Sequence, residues 1–288
     1  VYRVSGVLNV IAGWFLTAIS AFIVGGIIVY LVYIGGLQVI AIIMFIILLI
    51  IGKNYLSYKK QNKEAIKEEQ ALVIESNSFK GVIDETGVII ENVMKKSFVI
   101  FSLNVTGLST NDITLLKKAS KKSKKLADEV ENLDNRLFYF IRNLEESSVA
   151  ASNFYIELLQ YLHDLSEDLI YLSKISYNHV NNNHRKLKLS QTRELMNIEI
   201  NLKNTFKEAR EAFKLKQNIE EFQDILIEKN KIFKLIEEKI YVQIERTRAE
   251  ENSPKTTSLY FNFLIRTKSL ITNKFKLVDK YYSVVKKL

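Results

Sequence analysis

Residues 4–52 read VSGVLNVIAGWFLTAISAFIVGGIIVYLVYIGGLQVIAIIMFIILLIIG and contain no Asp, Glu, Lys, Arg or His. A membrane-spanning helix needs about 20 predominantly apolar residues, so the stretch has room for two. We predict a first span over about residues 4–32, a turn at Gly35 and Gly36, and a second span from about residue 37 toward Tyr55. A secretory signal peptide is excluded, because its apolar core is far shorter.

Basic residues decide the predicted orientation. The turn carries none, whereas the second span is followed by Lys53, Lys59, Lys60 and Lys63. Cytoplasmic flanks of membrane helices are enriched in Lys and Arg. We therefore expect a multi-pass protein of the cell (inner) membrane, with everything after the second span in the cytoplasm.

Small and polar residues lie along roughly one face of the first span. Small residues let helices approach closely in lipid. The predicted packing residues are Gly6, Gly13, Trp14, Thr17 and Ser20. This face predicts contact with further transmembrane helices, the alternative being contact only with the second span or a second copy. Because the chain starts at Val1 and not at Met, we also expect sequence upstream, which makes the chain a fragment.

Residues 53–288 contain one proline and no cysteine, and their hydrophobic spacing is helical nearly throughout. The pattern predicts helices over 56–75, 79–105, 110–146, 149–182, 187–215, 216–249 and 256–287. Long helices joined by short polar turns indicate antiparallel bundles. We predict an all-α protein with two transmembrane helices (1–55), a stalk helix and linker (56–78), and a domain of two three-helix bundles (79–288). The Asn181–Asn183 run predicts a helix end, and Pro254 predicts the start of the last helix.

One acidic pair is a candidate metal site. Asp164 and Asp168 are four residues apart, so both carboxylates fall on one helix face. Carboxylates at this spacing can bind a divalent or transition metal ion. On spacing alone, an exposed acidic ridge paired with lysines is the favoured interpretation. His163, His179 and His184 have no zinc-binding spacing, and we interpret them as structural.

A lysine run provides the second charged feature. From Lys117 to Lys125, six of the nine residues are lysines. Such a run is usually a solvated helix face, and the alternative is a weak contact with anionic lipid or, less well, nucleic acid. The run lacks the aromatic residues of a single-strand binder, so we expect no nucleic-acid partner. The sequence has no Gly-rich phosphate loop, GxSxG element or kinase motif set. We therefore expect no enzyme and no catalytic residue.

The residues also resemble a known family. The segment around Gly13-Trp14-Phe15-Leu16-Thr17 is similar to a late membrane span of inorganic phosphate transporters of the PiT type, although the proline usual after the threonine is absent. The rest resembles the PhoU-like helical domain that some bacterial members carry. The similar segments are LSED at 165–168, SYNHVNNNH at 176–184 and SPKTTSLYF at 253–261.

The resemblance implies a PhoU-like antiparallel bundle and an acidic metal cluster in each half. Asp164 and Asp168 match the first cluster, but the corresponding stretch of the second half, residues 263–269, has Arg266 where an acidic residue is expected. The phosphate-binding motifs of the family are absent from this chain, so no substrate or cofactor residue is assigned. The metal ion on Asp164 and Asp168 is the one cofactor considered.

These patterns and the resemblance lead to one functional hypothesis. The chain is interpreted as the C-terminal portion of an ion-coupled phosphate symporter with a regulatory helical domain. Its expected partners are the remaining transmembrane helices, phosphate and a coupling cation through the full protein, and the lipid membrane, with homo-oligomerisation left open. The alternative is a membrane-tethered helical signalling or scaffold protein with no role in transport.

Overall fold

The computed structural model describes residues 4–70, 79–135, 137, 141–142, 149–215, 219–249 and 253–285. Within these ranges all regular structure is helical, which confirms the predicted all-α class. The seven helices described there are α1 (Val4–Gln70), α2 (Phe79–Thr110), α3 (Ile113–Asn135), α4 (Val149–Asn181), α5 (Leu189–Leu215), α6 (Ile219–Arg248) and α7 (Pro254–Val285).

The chain divides into two compact units. The first is Val1–Lys67 and the second is Glu68–Leu288. The predicted division at residues 55 and 78 is not tested by this clustering and stays a prediction. Helix α1 continues as far as Gln70, so its backbone is helical through most of the predicted stalk.

The membrane region differs from the prediction in one respect. Among the described residues, one helical stretch is long and apolar enough to cross a membrane, Gly13–Phe45, where the sequence predicts two spans. Helical backbone continues on both sides of the predicted turn. The backbone nevertheless leaves helical geometry at Gly36, with φ 53° and ψ −141°. Only glycine adopts this combination of φ and ψ readily, so the residue at the predicted turn does break the helix.

The second unit consists of two groups of three helices. Helices α2, α3 and α4 contact one another, and α6 packs against both α5 and α7. The two groups meet mainly along two further helix pairs, α2 with α5 and α4 with α7, and α2 also contacts α7. Contacts at Glu157–Lys280 and Tyr171–Asn262 show that α4 and α7 run antiparallel. The first helices of the two groups, α2 and α5, thus pack against each other, and so do the third helices, α4 and α7.

Two asparagines end helices in the same way. Asn111 and Asn183 have φ values of 55° and 52°. After α4, the Asn183 N–H donates to the Val180 carbonyl (3.0 Å) and the His184 N–H to the His179 carbonyl (3.1 Å). This pair of bonds is the Schellman motif, which satisfies carbonyls at a helix C-terminus. The helix end predicted from Asn181–Asn183 is therefore confirmed.

Helix starts are capped by short polar side chains. The Asp112 carboxylate accepts the N–H groups of Thr114 (2.7 Å) and Leu115 (3.2 Å) at the start of α3. Ser253 caps α7 by accepting the Thr256 N–H at 3.2 Å. Pro254 is the first residue of that helix, as predicted, where its missing N–H leaves no helix bond unmade.

The core of the second unit is continuous across both groups. Fully buried leucines of α4 pack with buried side chains of α2 and α7. The rings of Phe101 (α2) and Phe263 (α7) are 5.7 Å apart, which joins the groups through aromatic contact. Burial of this apolar surface is the main stabilising term for the unit.

Candidate functional site

Charged residues of opposite sign face each other along α4 and α7. Glu157 near the start of α4 pairs with Lys280 near the end of α7. Asp168, three turns further along α4, pairs with Arg266 at 3.1 Å. The Lys276 ammonium lies 5.8 Å from the Tyr161 ring between these two pairs. Acidic residues of α4 are thus matched by basic residues of α7, but Asp168 is buried and pairs with an arginine, which differs from an exposed ridge paired with lysines.

Asp168 is the most enclosed member of this interface. Its side chain is 3% exposed, and the Arg266 side chain is 42% exposed. Arg266 donates to Oδ1 (3.1 Å), and the Asn273 amide donates to Oδ2 (3.2 Å). Arg266 also lies 4.4 Å above the Tyr171 ring, an arrangement that favours a guanidinium. We call Asp168, Tyr171, Arg266 and Asn273 the α4–α7 polar cluster.

Burial and hydrogen bonding act in opposite directions on the Asp168 carboxyl. Burial raises its pKa, because the charged form loses water. Hydrogen bonds from Ser269, Arg266 and Asn273, together with the Arg266 charge, offset this only in part, so the pKa lies above its usual range. The Arg266 charge thus favours the ionised form of the buried Asp168 carboxyl, against the effect of burial.

The predicted metal site does not fit this arrangement while Arg266 is in place. Both oxygens of Asp168 accept hydrogen bonds from α7. Asp164 is half-buried one turn earlier on α4. Among the residues described, no group of three or more His, Cys, Asp or Glu side chains is arranged to hold a metal ion. Metal binding at Asp164 and Asp168 stays a prediction, and it requires Arg266 to leave Asp168.

A second polar cluster joins α5, α6 and α7. Arg246 makes two hydrogen bonds to the Glu194 carboxylate, at 2.8 and 2.9 Å, and the Tyr260 hydroxyl donates to the same group at 2.5 Å. Burial opposes ionisation of Glu194, but the bonds from Arg246 and Tyr260 and the charges of Arg246 and Lys239 hold its pKa below the usual range. Burial and the adjacent Glu194 raise the pKa of Tyr260. These side-chain contacts hold α5, α6 and α7 together within the second group of helices.

His179 occupies a structural position at the end of α4. His179 Nε2 lies 2.9 Å from the Arg185 carbonyl, in the connection between the two helical groups. The Thr256 hydroxyl donates to the same carbonyl at 2.8 Å, so the start of α7 is tied to this connection. Burial and the neighbouring His184 lower the pKa of His179, so it is neutral at pH 7.

The residues predicted to pack in the membrane lie on an open surface. A methyl group built at Gly13 meets nothing within 4 Å among the described residues, and the Trp14 side chain is 73% exposed. Thr17 and Ser20 donate to the carbonyls of Gly13 and Leu16, at 2.7 and 2.6 Å, so their hydroxyls are satisfied within the helix. The surroundings of Gly6 lie outside the described side chains. The packing role stays a prediction.

A shallow groove lies between α2 and α5. Its volume is about 370 Å³. Its lining includes Phe98 and Phe206, with rings 5.8 Å apart, and three lysines, Lys95, Lys203 and Lys207. Such a groove can attract an anion, and all three lysines are exposed.

Sequence reasoning did not identify the partners of the acidic pair. It noted Arg266 as a departure from an expected acidic position, but not as the residue that contacts Asp168. The signal was present, because Arg266, Asn273 and Lys280 are spaced by seven residues and so fall on one face of α7. Glu194, Arg246 and Tyr260 carried no local signal and are brought together by the tertiary fold.

Comparison with known proteins defines the class of fold. The crystal structure of PhoU from Pseudomonas aeruginosa matches this chain with a TM-score of 0.61 and 8% sequence identity, covering 73% of this chain and 100% of that chain. At this identity the likeness shows the fold and not the activity. No family model and no curated protein sequence matches the chain. The second unit is therefore a PhoU-like helical fold, on a chain that also carries an apolar N-terminal helix.

Proposed function

We propose that this chain is the C-terminal portion of an inorganic phosphate symporter, and that its PhoU-like unit regulates phosphate uptake. The observation that carries the proposal is the occurrence of a PhoU-like fold on the same chain as a candidate membrane span. The similarity of residues 13–17 to a PiT-type span gives independent support. Phosphate and the coupling cation would bind in other membrane helices of the same transporter.

The proposal includes two membrane crossings. The apolar stretch Gly13–Phe45 has 33 residues. A straight helix of this length is about 50 Å long, against a hydrocarbon core of about 30 Å. The break at Gly36 allows the chain to reverse there, so that Lys53 and the following helical unit return to the cytoplasmic side.

The open face of α1 supports contact with further transmembrane helices. Methyl groups built at Gly13, Gly25 and Gly26 meet nothing within 4 Å among the described residues. Close helix packing in lipid depends on such small residues, because they let backbones approach. We propose that the remaining helices of the transporter cover this face.

The first test is to tag the protein at its chromosomal locus and purify it from membranes. The proposal expects a polypeptide well above the 33.3 kDa of this chain, because the transporter helices belong to it. A membrane polypeptide of 33.3 kDa that copurifies with no transporter would favour the alternative, a tethered signalling or scaffold protein.

Topology can be measured separately because the chain contains no cysteine. Single cysteines introduced as Gln38→Cys and Lys53→Cys would be reacted with a membrane-impermeant maleimide in intact cells and after permeabilisation. The proposal expects the first to react in intact cells and the second only after permeabilisation. Equal reaction of both positions would contradict the two-crossing arrangement.

A further inference from the structure

Helix α3 presents an exposed surface of lysines. The structure places all six of them on the outside of the helical unit. These residues are Lys117, Lys118, Lys121, Lys122, Lys124 and Lys125. At 1.5 Å per residue they extend over about 12 Å of helix. We call this surface the lysine face.

The lysine face lies opposite the side of α3 that is buried. At 100° per residue, the buried residues Leu116, Ala119, Leu126 and Val130 form a stripe that packs against α2 and α4. The six lysines occupy an arc on the other side of the same helix. Packing therefore holds the lysines in one fixed direction, away from the core.

Most of this charge has no counterpart among the residues that the structure describes. Within the part of the chain that the structure describes, only Lys125 is paired, with Glu129 at 3.8 Å, and Glu129 is also held by Lys96 at 2.9 Å. Like charges four residues apart, such as Lys117 and Lys121 or Lys118 and Lys122, destabilise a helix. An external anionic surface would remove this repulsion.

We propose that the lysine face binds the anionic phospholipid surface of the membrane that α1 enters. Clusters of four to eight basic residues on a helix are attracted to anionic headgroups. The residues between the lysines are Ala119, Ser120 and Ser123, so the face has no large apolar side chain to insert into lipid. Binding is thus electrostatic, at the headgroups, and sensitive to salt.

The tether favours lipid over other polyanions. A chain held in the membrane by α1 keeps its lysine face at high effective concentration next to headgroups, so a weak contact is sufficient. Nucleic acid has no such advantage here. The inference depends on membrane insertion of α1 and not on phosphate transport, so the two can fail separately.

The test uses the full chain in lipid nanodiscs. The variant Ser120→Cys introduces a single cysteine beside the lysines, because the natural chain has none. An environment-sensitive fluorophore on this cysteine is quenched by a nitroxide carried on the lipid headgroup. Discs of phosphatidylcholine alone are compared with discs that also contain phosphatidylglycerol. Incorporation of the chain into discs checks insertion of α1 independently.

We expect stronger quenching in the phosphatidylglycerol discs, and its loss as salt is raised. Each lysine near an anionic surface strengthens binding by about fivefold. The quadruple variant with Lys117, Lys118, Lys121 and Lys122 changed to Gln should therefore lose most of the phosphatidylglycerol-dependent quenching. The matched control changes four exposed lysines on other elements to Gln, namely Lys186, Lys203, Lys234 and Lys255. This control should retain the quenching.

Three results would overturn the proposal. Equal quenching in both kinds of disc would show that anionic lipid does not attract the face. Equal loss in the control variant would show an effect of net charge alone. The third result is displacement of the labelled face from phosphatidylglycerol discs by a small excess of single-stranded DNA. If this displacement requires the same four lysines, the face is assigned to nucleic acid.

Discussion

The Arg266 guanidinium on α7 donates a hydrogen bond of 3.1 Å to the carboxylate of Asp168 on α4, across the junction of the two helical groups. The two residues are 98 positions apart in sequence, so the contact exists only in the folded unit. Asp168 is almost fully buried, and Arg266 also covers the Tyr171 ring. The pair therefore joins the third helix of one group to the third helix of the other.

Replacing Arg266 should destabilise this junction. Arg266→Ala leaves the buried Asp168 carboxylate without its charged donor, and the free energy of unfolding should fall by about 1–3 kcal/mol. Thermal unfolding of the chain in detergent, followed by circular dichroism, measures the change. The matched control is Arg248→Ala. Arg248 lies 3.2 Å from Glu245, and both side chains are exposed. Its replacement should lower the free energy of unfolding by about 0–1 kcal/mol. Equal effects of the two variants would rule out a special role for the Arg266 pair.

Metal binding should depend on Arg266. The Arg266→Asp variant removes the guanidinium from Asp168 and places a carboxylate opposite it, so Mn²⁺ affinity should rise by at least about tenfold over the natural chain. Titration calorimetry measures it, and Asp164→Ala/Asp168→Ala in the same background should abolish the gain. If the natural chain binds Mn²⁺ as tightly as the variant, Arg266 does not block the site.

The Glu194 cluster should make stability depend on acid pH. The pKa of Glu194 is lowered in the folded chain from its ordinary value of 4.5. Its contribution is therefore present above pH 4.5 and is lost as pH falls through the folded pKa. The difference in melting temperature between the natural chain and Glu194→Gln should be largest near neutral pH and shrink in acid. A difference that is constant or grows in acid would contradict the assignment.

Gly107 is expected to be required by the contact of α2 with α3. A methyl group at this position would lie 2.6 Å from Leu116 Cδ2, and Leu116 is fully buried. Gly107→Ala gains about 1 kcal/mol of helix propensity but causes overpacking of about 1–3 kcal/mol, so we expect net destabilisation. Leu116→Ala should lower the free energy of unfolding less in the Gly107→Ala background than in the natural chain. The reason is that the methyl group added at position 107 fills part of the cavity that the loss of the leucine side chain leaves. Strict additivity of the two changes would contradict the contact.

The features that could be predicted from sequence are those with local causes. Helical periodicity predicted the all-α class, Asn181–Asn183 predicted the end of α4, and Pro254 predicted the start of α7, because helix caps depend on neighbouring residues. The helix break at Gly36 falls at the predicted turn for the same reason, although the structure has one candidate span there.

The features that could not be predicted depend on tertiary packing. The spacing of Asp164 and Asp168 allowed a metal site and favoured an exposed acidic ridge, but it did not indicate Arg266. Only the antiparallel register of α4 and α7 brings Arg266 to Asp168. Likewise, Glu194 is 66 residues from Tyr260 and 52 from Arg246. No pattern in the sequence indicated that these three residues meet.

We propose that the chain belongs to a phosphate transporter whose PhoU-like unit regulates uptake. The most direct measurement is uptake of radiolabelled phosphate by cells with the intact gene, with the gene deleted, and with only residues 79–288 removed. The account predicts lower uptake after deletion of the gene. It also predicts that the shortened protein remains in the membrane fraction and transports phosphate with an altered response to external phosphate. Identical uptake in all three strains would contradict it.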